Sequence, residues 1–328
     1  MFEINNLKTK GAIMKKTVIV LKLMILVSGI LFAEGNTSGN VFYNHTTDLG
    51  EKGSNAFNMK RAYLTFSNDV SDKISYKITY DMGSNESGSA HIAFLKVAMV
   101  KWNTALGDIS LGMQGMNMFK TMENTWGHRF IQKTPMDIYE FSHTADLGMG
   151  ITRTSGPIST SALITNGSGF KKAESDSHKK ISLHAVYGES NLNKKDGFNS
   201  GFSFSYEPGN MDSMTAAKTT VMGLFGGFSR NGLRAGLEFD TKDSDGLKTQ
   251  IISAYATYKL SDKLSFLTRL DQLDPDTAIE RKGEQSVIAG VLYNANKGLT
   301  IAPTLRMTKP ENAGEDKNSI VINFQFKF

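Results

Sequence analysis

Residues 115–142 hold Lys120, Glu123, His128, Arg129 and Lys133, a dense set of charged and titratable side chains in one stretch. Such a set suits passing electrostatic contact with charged solutes. Bond-making chemistry needs other spacings, and the chain lacks them. His45, His91, His128, His143, His178 and His184 form neither His-x-His nor His-Glu-x-x-His, the patterns that aim two imidazoles at one metal ion. There is no Gly-x-Ser-x-Gly elbow and no glycine loop of the phosphate-cradling kind. Ser182 and His184 share one side of an extended segment, but without a flanking motif they read as solvated side chains. Asn166-Gly167-Ser168 reads as a turn. With no cysteine, disulfides and thiolate metal sites are excluded. No enzyme, cofactor or metal is expected.

The same stretch is too apolar for a solvent loop. Met116, Met118, Phe119, Trp126, Phe130 and Ile131 call for burial. What they are buried against depends on the rest of the chain, where the dominant signal is alternation with period two. Near the C-terminus Ile320, Ile322, Phe324, Phe326 and Phe328 share one face, and Val321, Asn323, Gln325 and Lys327 the other. Ile74, Tyr76, Ile78 and Tyr80 oppose Ser75, Lys77, Thr79 and Asp81; Leu233, Ala235, Leu237 and Phe239 oppose Arg234, Gly236, Glu238 and Asp240. About sixteen such segments follow one another, centred near residues 44, 62, 77, 97, 111, 148, 161, 184, 202, 223, 235, 254, 267, 290, 303 and 324.

Their connections sort by length. Those after even-numbered segments are short, for example 68–72, 103–107, 229–232 and 295–298. Those after odd-numbered ones are long and polar: 48–56, 82–91, 115–142, 167–179, 207–218, 241–247, 272–285 and 309–318. This is the pattern of a membrane barrel with short periplasmic turns and long outer loops. The expected fold class is therefore all-β: a transmembrane antiparallel β-barrel of about sixteen strands, spanning residues 34–328, in the bacterial outer membrane. Tyr43, Tyr63, Tyr80, Tyr187, Tyr206, Tyr258, Tyr293 and Phe328 are expected to form its aromatic belts.

The N-terminus reads as a signal peptide over residues 1–33, with a basic start at Met14-Lys15-Lys16, an apolar core to Phe32, and Ala33 for cleavage. Met14 is a possible true start. That segment carries five Lys and one Glu, so the mature chain is nearly neutral at +1. A nucleic-acid partner thus loses its support despite a pI near 9.1.

In a barrel this wide the polar face lines an aqueous lumen. Alternation points Arg61, Lys77, Arg234, Arg269, Arg306 and Lys327 inward, with Asp108, Glu238, Asp240 and Asp271 as the acids. This mildly basic set predicts a weak preference for anions. Segment 115–142 is expected to fold into the lumen as a constriction bearing Lys120, Glu123, His128, Arg129 and Lys133. Packing against neighbouring outer loops is the alternative. The C-terminal strand ending in Phe328 is read as the signal to the barrel-assembly machinery.

The segment Phe57-Asn58-Met59-Lys60-Arg61-Ala62-Tyr63-Leu64-Thr65-Phe66 resembles an early strand of the phosphate-selective porin O/P family. Leu95-Lys96-Val97-Ala98, Arg269-Leu270-Asp271 with Asp274-Pro275-Asp276, and Gly290-Val291-Leu292-Tyr293-Asn294 are similar to later ones. Trp126-Gly127 lies where that family's inward loop would be. The resemblance implies a homotrimeric sixteen-stranded porin. Phosphate-binding members use a dense series of lumen cations, whereas the third loop here offers Lys120, Arg129 and Lys133 beside Glu123. The expectation is passive diffusion of small polar solutes and ions. A non-conducting surface barrel that adheres through its outer loops is the other reading.

Overall fold

The computed structural model describes residues 35–328, apart from 51–52, 85–87, 89, 175–176, 210–216, 281 and 313. The expected signal peptide lies outside the described residues. The strands are β1 (Asn36–Asp48), β2 (Asn55–Ser71), β3 (Ile74–Ser84), β4 (His91–Thr104), β5 (Gly107–Gly115), β6 (Ala145–Ser155), β7 (Ile158–Thr165) and β8 (Lys180–Gly188). There follow β9 (Gly197–Glu207), β10 (Thr219–Arg230), β11 (Leu233–Ser244), β12 (Leu247–Lys259), β13 (Leu264–Asp274), β14 (Glu284–Asn296), β15 (Leu299–Pro310) and β16 (Lys317–Lys327). Two short helices, α1 (Lys120–Trp126) and α2 (Pro135–Ile138), lie between β5 and β6. Among the described residues no helix is long and apolar enough to cross a membrane.

Each strand pairs antiparallel with its sequence neighbour, and β1 closes on β16 in a register running from Asn40 opposite Lys327 to Asp48 opposite Ser319. This closed sixteen-stranded barrel is the architecture the alternation predicts. Closure leaves no unpaired strand edge for hydrocarbon to meet. The pleat then sorts side chains. β10 exposes Met222, Leu224 and Phe228 outward and buries Val221 and Phe225; β12 exposes Ile252 and buries Ile251 and Tyr255. An exposed apolar surface over a whole sheet is stable only against lipid.

Tyr43, Tyr80, Tyr187, Tyr258, Tyr293 and Phe328 are exposed on the outer surface. Tyr63 departs from the expected belt. β2 is 17 residues long, so Tyr63 falls mid-strand, faces inward, and meets Phe42 edge-on at 5.7 Å between ring centroids.

The short turns follow backbone chemistry. Asn231 and Gly232 both take positive φ, 52° and 83°, which matches a two-residue hairpin to the twist of β10 and β11. One outer connection is shorter than expected: β11 and β12 run on until Asp245 and Gly246 alone join them, with φ of 50° and 91°. The polar stretch 241–247 is mostly strand, because Asp-Gly is itself a tight-turn signal.

Candidate functional site: the inward segment and the basic wall facing it

The connection from β5 to β6 lies against the inner face of the wall. Its apolar side chains determine this. Met118, Met122, Trp126, Ile131, Met136 and Phe141 are all at most 1% exposed. Trp126, Phe130 and Ile131 pack with Phe42, Tyr255, Leu267, Ile288 and Leu292. Met118, Phe119, Met122, Met136 and Phe141 pack with Val186, Val221, Phe225 and Ile251. Gly227 of β10 lets α1 approach closely: a Cβ there would sit 2.7 Å from Thr125 Cγ2 and 2.9 Å from Leu192 Cδ1.

Wall arginines then satisfy the backbone of the segment. Arg234 donates through Nη2 to the Trp126 carbonyl at 3.1 Å, Arg269 through Nη1 to the Lys133 carbonyl at 2.5 Å, and Arg306 through Nη2 to the Ile131 carbonyl at 2.5 Å. The Tyr255 hydroxyl donates to the Met122 carbonyl at 3.3 Å. At the short-turn end Asn124 donates to the Ser190 carbonyl and accepts from the Asn193 amide, both at 3.2 Å. The segment thus reaches the long turn between β8 and β9.

These contacts correct part of the expected lumen lining. Arg234, Arg269 and Arg306 do face inward and hold the segment; Arg269 is buried beneath it, and Arg234 and Arg306 stay half-buried. Glu238 and Asp271 are each 3% exposed and lie beneath it. Asp271 is bound by Arg269 Nη2 at 2.7 Å and by Ser253 Oγ at 2.6 Å. Alternation reports which way a side chain points, and a long-range segment decides what covers it.

The charges of the segment form one network. Glu123 pairs with Lys120 at 3.0 Å and Arg129 at 2.9 Å; Asp137 pairs with Arg129 at 2.5 Å and Lys133 at 3.1 Å. Burial works to raise the Glu123 carboxyl, but Arg129 and Lys120 outweigh it and hold it at about 2. Burial likewise opposes the Arg129 charge, and Glu123 overcomes this, raising its pKa well above the usual value. The network sets three basic side chains against two carboxyl groups. His128 is different. It is 8% exposed, bonded to the Thr257 hydroxyl at 2.9 Å and to Arg234 Nη2 at 3.0 Å. Burial, with Arg234 and Lys327 nearby, pushes its pKa well below the ordinary value. It is a neutral anchor and not a charge of the constriction.

The opposite wall is wet and basic. Lys60 of β2 and Lys77 of β3 are exposed, Lys77 within electrostatic reach of Lys120 and Lys60 of Lys133 and Arg306. Arg61 and Lys96 pair with the one carboxylate of Asp81 at 3.2 and 3.1 Å. Asp108 sits at the short-turn end, paired with Lys101 at 2.5 Å. A cavity of about 540 Å³ at that same end is lined by Lys194, Lys195, Arg234, Lys259 and Lys327. Sequence reasoning missed Lys60, Lys96, Asp81 and Asp137. Lys96 lies in β4, which is apolar on both faces. Its register slips opposite Thr79 and Tyr80, so the pattern alone could not orient it.

His184 and Ser182 do not form a pair. His184 bonds to the Thr121 and Ser203 hydroxyls at 2.8 and 2.9 Å and stacks on Phe225. Its role is to seat α1 on the wall.

No family model matches the chain, and no curated protein matches it in sequence. Solved structures do match. OmpF of Salmonella typhi, in complex with daunomycin, aligns with a TM-score of 0.67 at 12% identity over 90% of this chain and 97% of that one. The anion-selective porin from Comamonas acidovorans gives 0.66 at 11%, over 90% and 99%. The channel DcaP of Acinetobacter baumannii gives 0.64 at 12%, over 90% and 97%.

The fold is that of the bacterial porins. A closed barrel of this fold with a lipid-facing apolar surface belongs in the bacterial outer membrane.

Proposed function

We propose that the chain is an outer-membrane diffusion channel for small polar solutes and ions, with a preference for anions. The observation that carries this reading is the one-sided packing of residues 115–142. The segment is sealed by apolar contacts, side-chain hydrogen bonds and arginine bonds against β7 to β15 and Phe42 of β1, while Lys60, Arg61, Lys77 and Lys96 face it from β2, β3 and β4. Solutes pass between the two. The constriction is formed by Lys120, Glu123, Arg129 and Lys133 on one side and those wall cations on the other. Every acid at this point, Asp81, Glu123 and Asp137, is held in ion pairs. Field focused in a narrow lumen then favours negative solutes.

The resemblance to phosphate-selective porins and the porin neighbours support a homotrimer and a role in solute uptake. In the same reading residues 1–33 are removed on export. The assembly machinery takes the C-terminal strand, whose Phe328 is 60% exposed and pairs with Gly39 of β1 at 3.0 and 3.1 Å. Reconstitution in a planar bilayer tests the function. Stable unitary conductance steps are the expected result, and a silent, correctly folded barrel would point to the adhesive role instead.

A further inference from the structure

A second feature lies nearer the outer mouth. Phe94 of β4 and Phe170, in the connection from β7 to β8, meet edge to face with centroids 6.1 Å apart. Lys171 Nζ stands 4.9 Å from the Phe94 ring centre; Lys96 Nζ stands 5.3 Å from Phe170 and 4.8 Å from Tyr63. The order Lys171, Phe94, Phe170, Lys96, Tyr63 sets a pair of rings and then a single ring each beside a cation. It leads inward toward Arg129, which lies beside Tyr63. All three rings are partly exposed and Lys171 is exposed. Among the described residues no carboxylate pairs with Lys171. Phe94 and Lys96 lie a few residues inside the outer end of β4, about 10–17 Å along the strand. Partly exposed aromatic rings in an aqueous passage forfeit burial that a polar residue would not need. Chloride would use only the ammonium groups, and a neutral solute only the rings. A planar aromatic anion uses both: its ring stacks on Phe or Tyr while its carboxylate meets the next ammonium.

We propose that this track is a binding and guidance surface for aromatic carboxylates, which the channel passes in preference to aliphatic ones of equal charge. The proposal rests on the reading of the lumen as an anion-preferring passage.

The test uses the full barrel in a planar bilayer at about pH 8, where benzoate and acetate are both fully ionised. Reversal potentials give the permeability of each relative to chloride. The expected benzoate-to-acetate ratio exceeds that of free aqueous diffusion by about threefold or more. The Phe94→Ala/Phe170→Ala variant brings it back to the aqueous ratio while its chloride-to-potassium preference stays unchanged. Cyclohexanecarboxylate, apolar but not planar, should behave like acetate. The Phe170→Leu variant, which keeps the apolar bulk, should also lose the benzoate advantage. A wild-type ratio equal to free diffusion overturns the proposal, as does an advantage that survives in both variants. The potassium chloride measurement separates the two levels. No anion preference there removes the underlying reading. Anion preference with benzoate behaving as acetate removes this inference alone.

Discussion

Arg269 of β13 bridges wall and segment: its Nη1 donates to the Lys133 carbonyl at 2.5 Å while its Nε holds Asp271 at 2.8 Å. One guanidinium, 1% exposed, both neutralises a buried carboxylate and fixes the far end of the inward segment. Removing it strands Asp271. Arg269→Leu is therefore expected to destabilise the packed state by about 3–5 kcal/mol, and Arg269→Leu/Asp271→Leu by much less. Thermal unfolding in detergent, followed by circular dichroism, checks the order. If the double variant is no more stable than the single one, Arg269 does not act by compensating Asp271.

Trp126 is the apolar anchor. It is fully buried, donates through Nε1 to the Gln132 carbonyl at 2.8 Å, and packs on Tyr255 at 5.5 Å between centroids. Trp126→Ala should cost about 3–5 kcal/mol of segment packing, raise conductance and increase current noise. The barrel hydrogen bonds do not depend on it, so strand content should be unchanged. In the wild type, a membrane-borne quencher such as a brominated lipid should quench Trp102, which is 48% exposed on the outer face, and spare Trp126.

Glu123 sets a pH window. Its folded pKa of about 2 lies below the ordinary 4.5. A depressed carboxyl contributes stability that is complete above its unfolded pKa and is lost as pH falls through the folded one. Segment order, followed by Trp126 fluorescence, should lose the Glu123 contribution only between about pH 4.5 and about 2. His128, held neutral by burial, adds a loss of its own that begins as pH falls below the ordinary histidine value, because the released segment takes up a proton there. His128→Gln should remove that earlier loss and leave the Glu123 window; a Glu123 window centred between about pH 6 and 7 would contradict this assignment. Glu123→Gln also removes one negative charge beside the passage, so the reversal potential should move further toward chloride.

Lys77→Glu tests the facing wall. Lys77 is exposed and opposite Lys120, so the change replaces repulsion by attraction across the gap without disturbing any packed group. Anion preference should fall and unfolding should be unaffected within about 0.5 kcal/mol. An unchanged selectivity would place Lys77 outside the ion path.

Much of this was legible in the chain. The alternation ending Ile320, Ile322, Phe324 and Phe326 fixes a strand and its faces, because lipid and water impose opposite demands every second residue. The sorting of connections by length fixes up-and-down topology. The apolar residues of 115–142 announce a buried loop. What stayed hidden is pairing across the lumen. Arg269 and Lys133 are 136 residues apart, and no local period relates them. Local alternation therefore turns Glu238 and Asp271 toward water, although Met136 and its neighbours cover that wall. Tyr63 falls outside the belt because its place along β2 depends on strand length, which polar residues at the outer end conceal. His128 has the residue type of a charge but not its environment, because burial, unlike residue type, is not written locally.

The most direct measurement is the reversal potential of the reconstituted wild-type channel in a potassium chloride gradient. A passage bounded by Lys60, Arg61, Lys77 and Lys96 on one side and Lys120, Arg129 and Lys133 on the other predicts a potential of the sign that chloride carries. A potential of potassium sign, or one indistinguishable from the ratio of the free ions' mobilities, would contradict it.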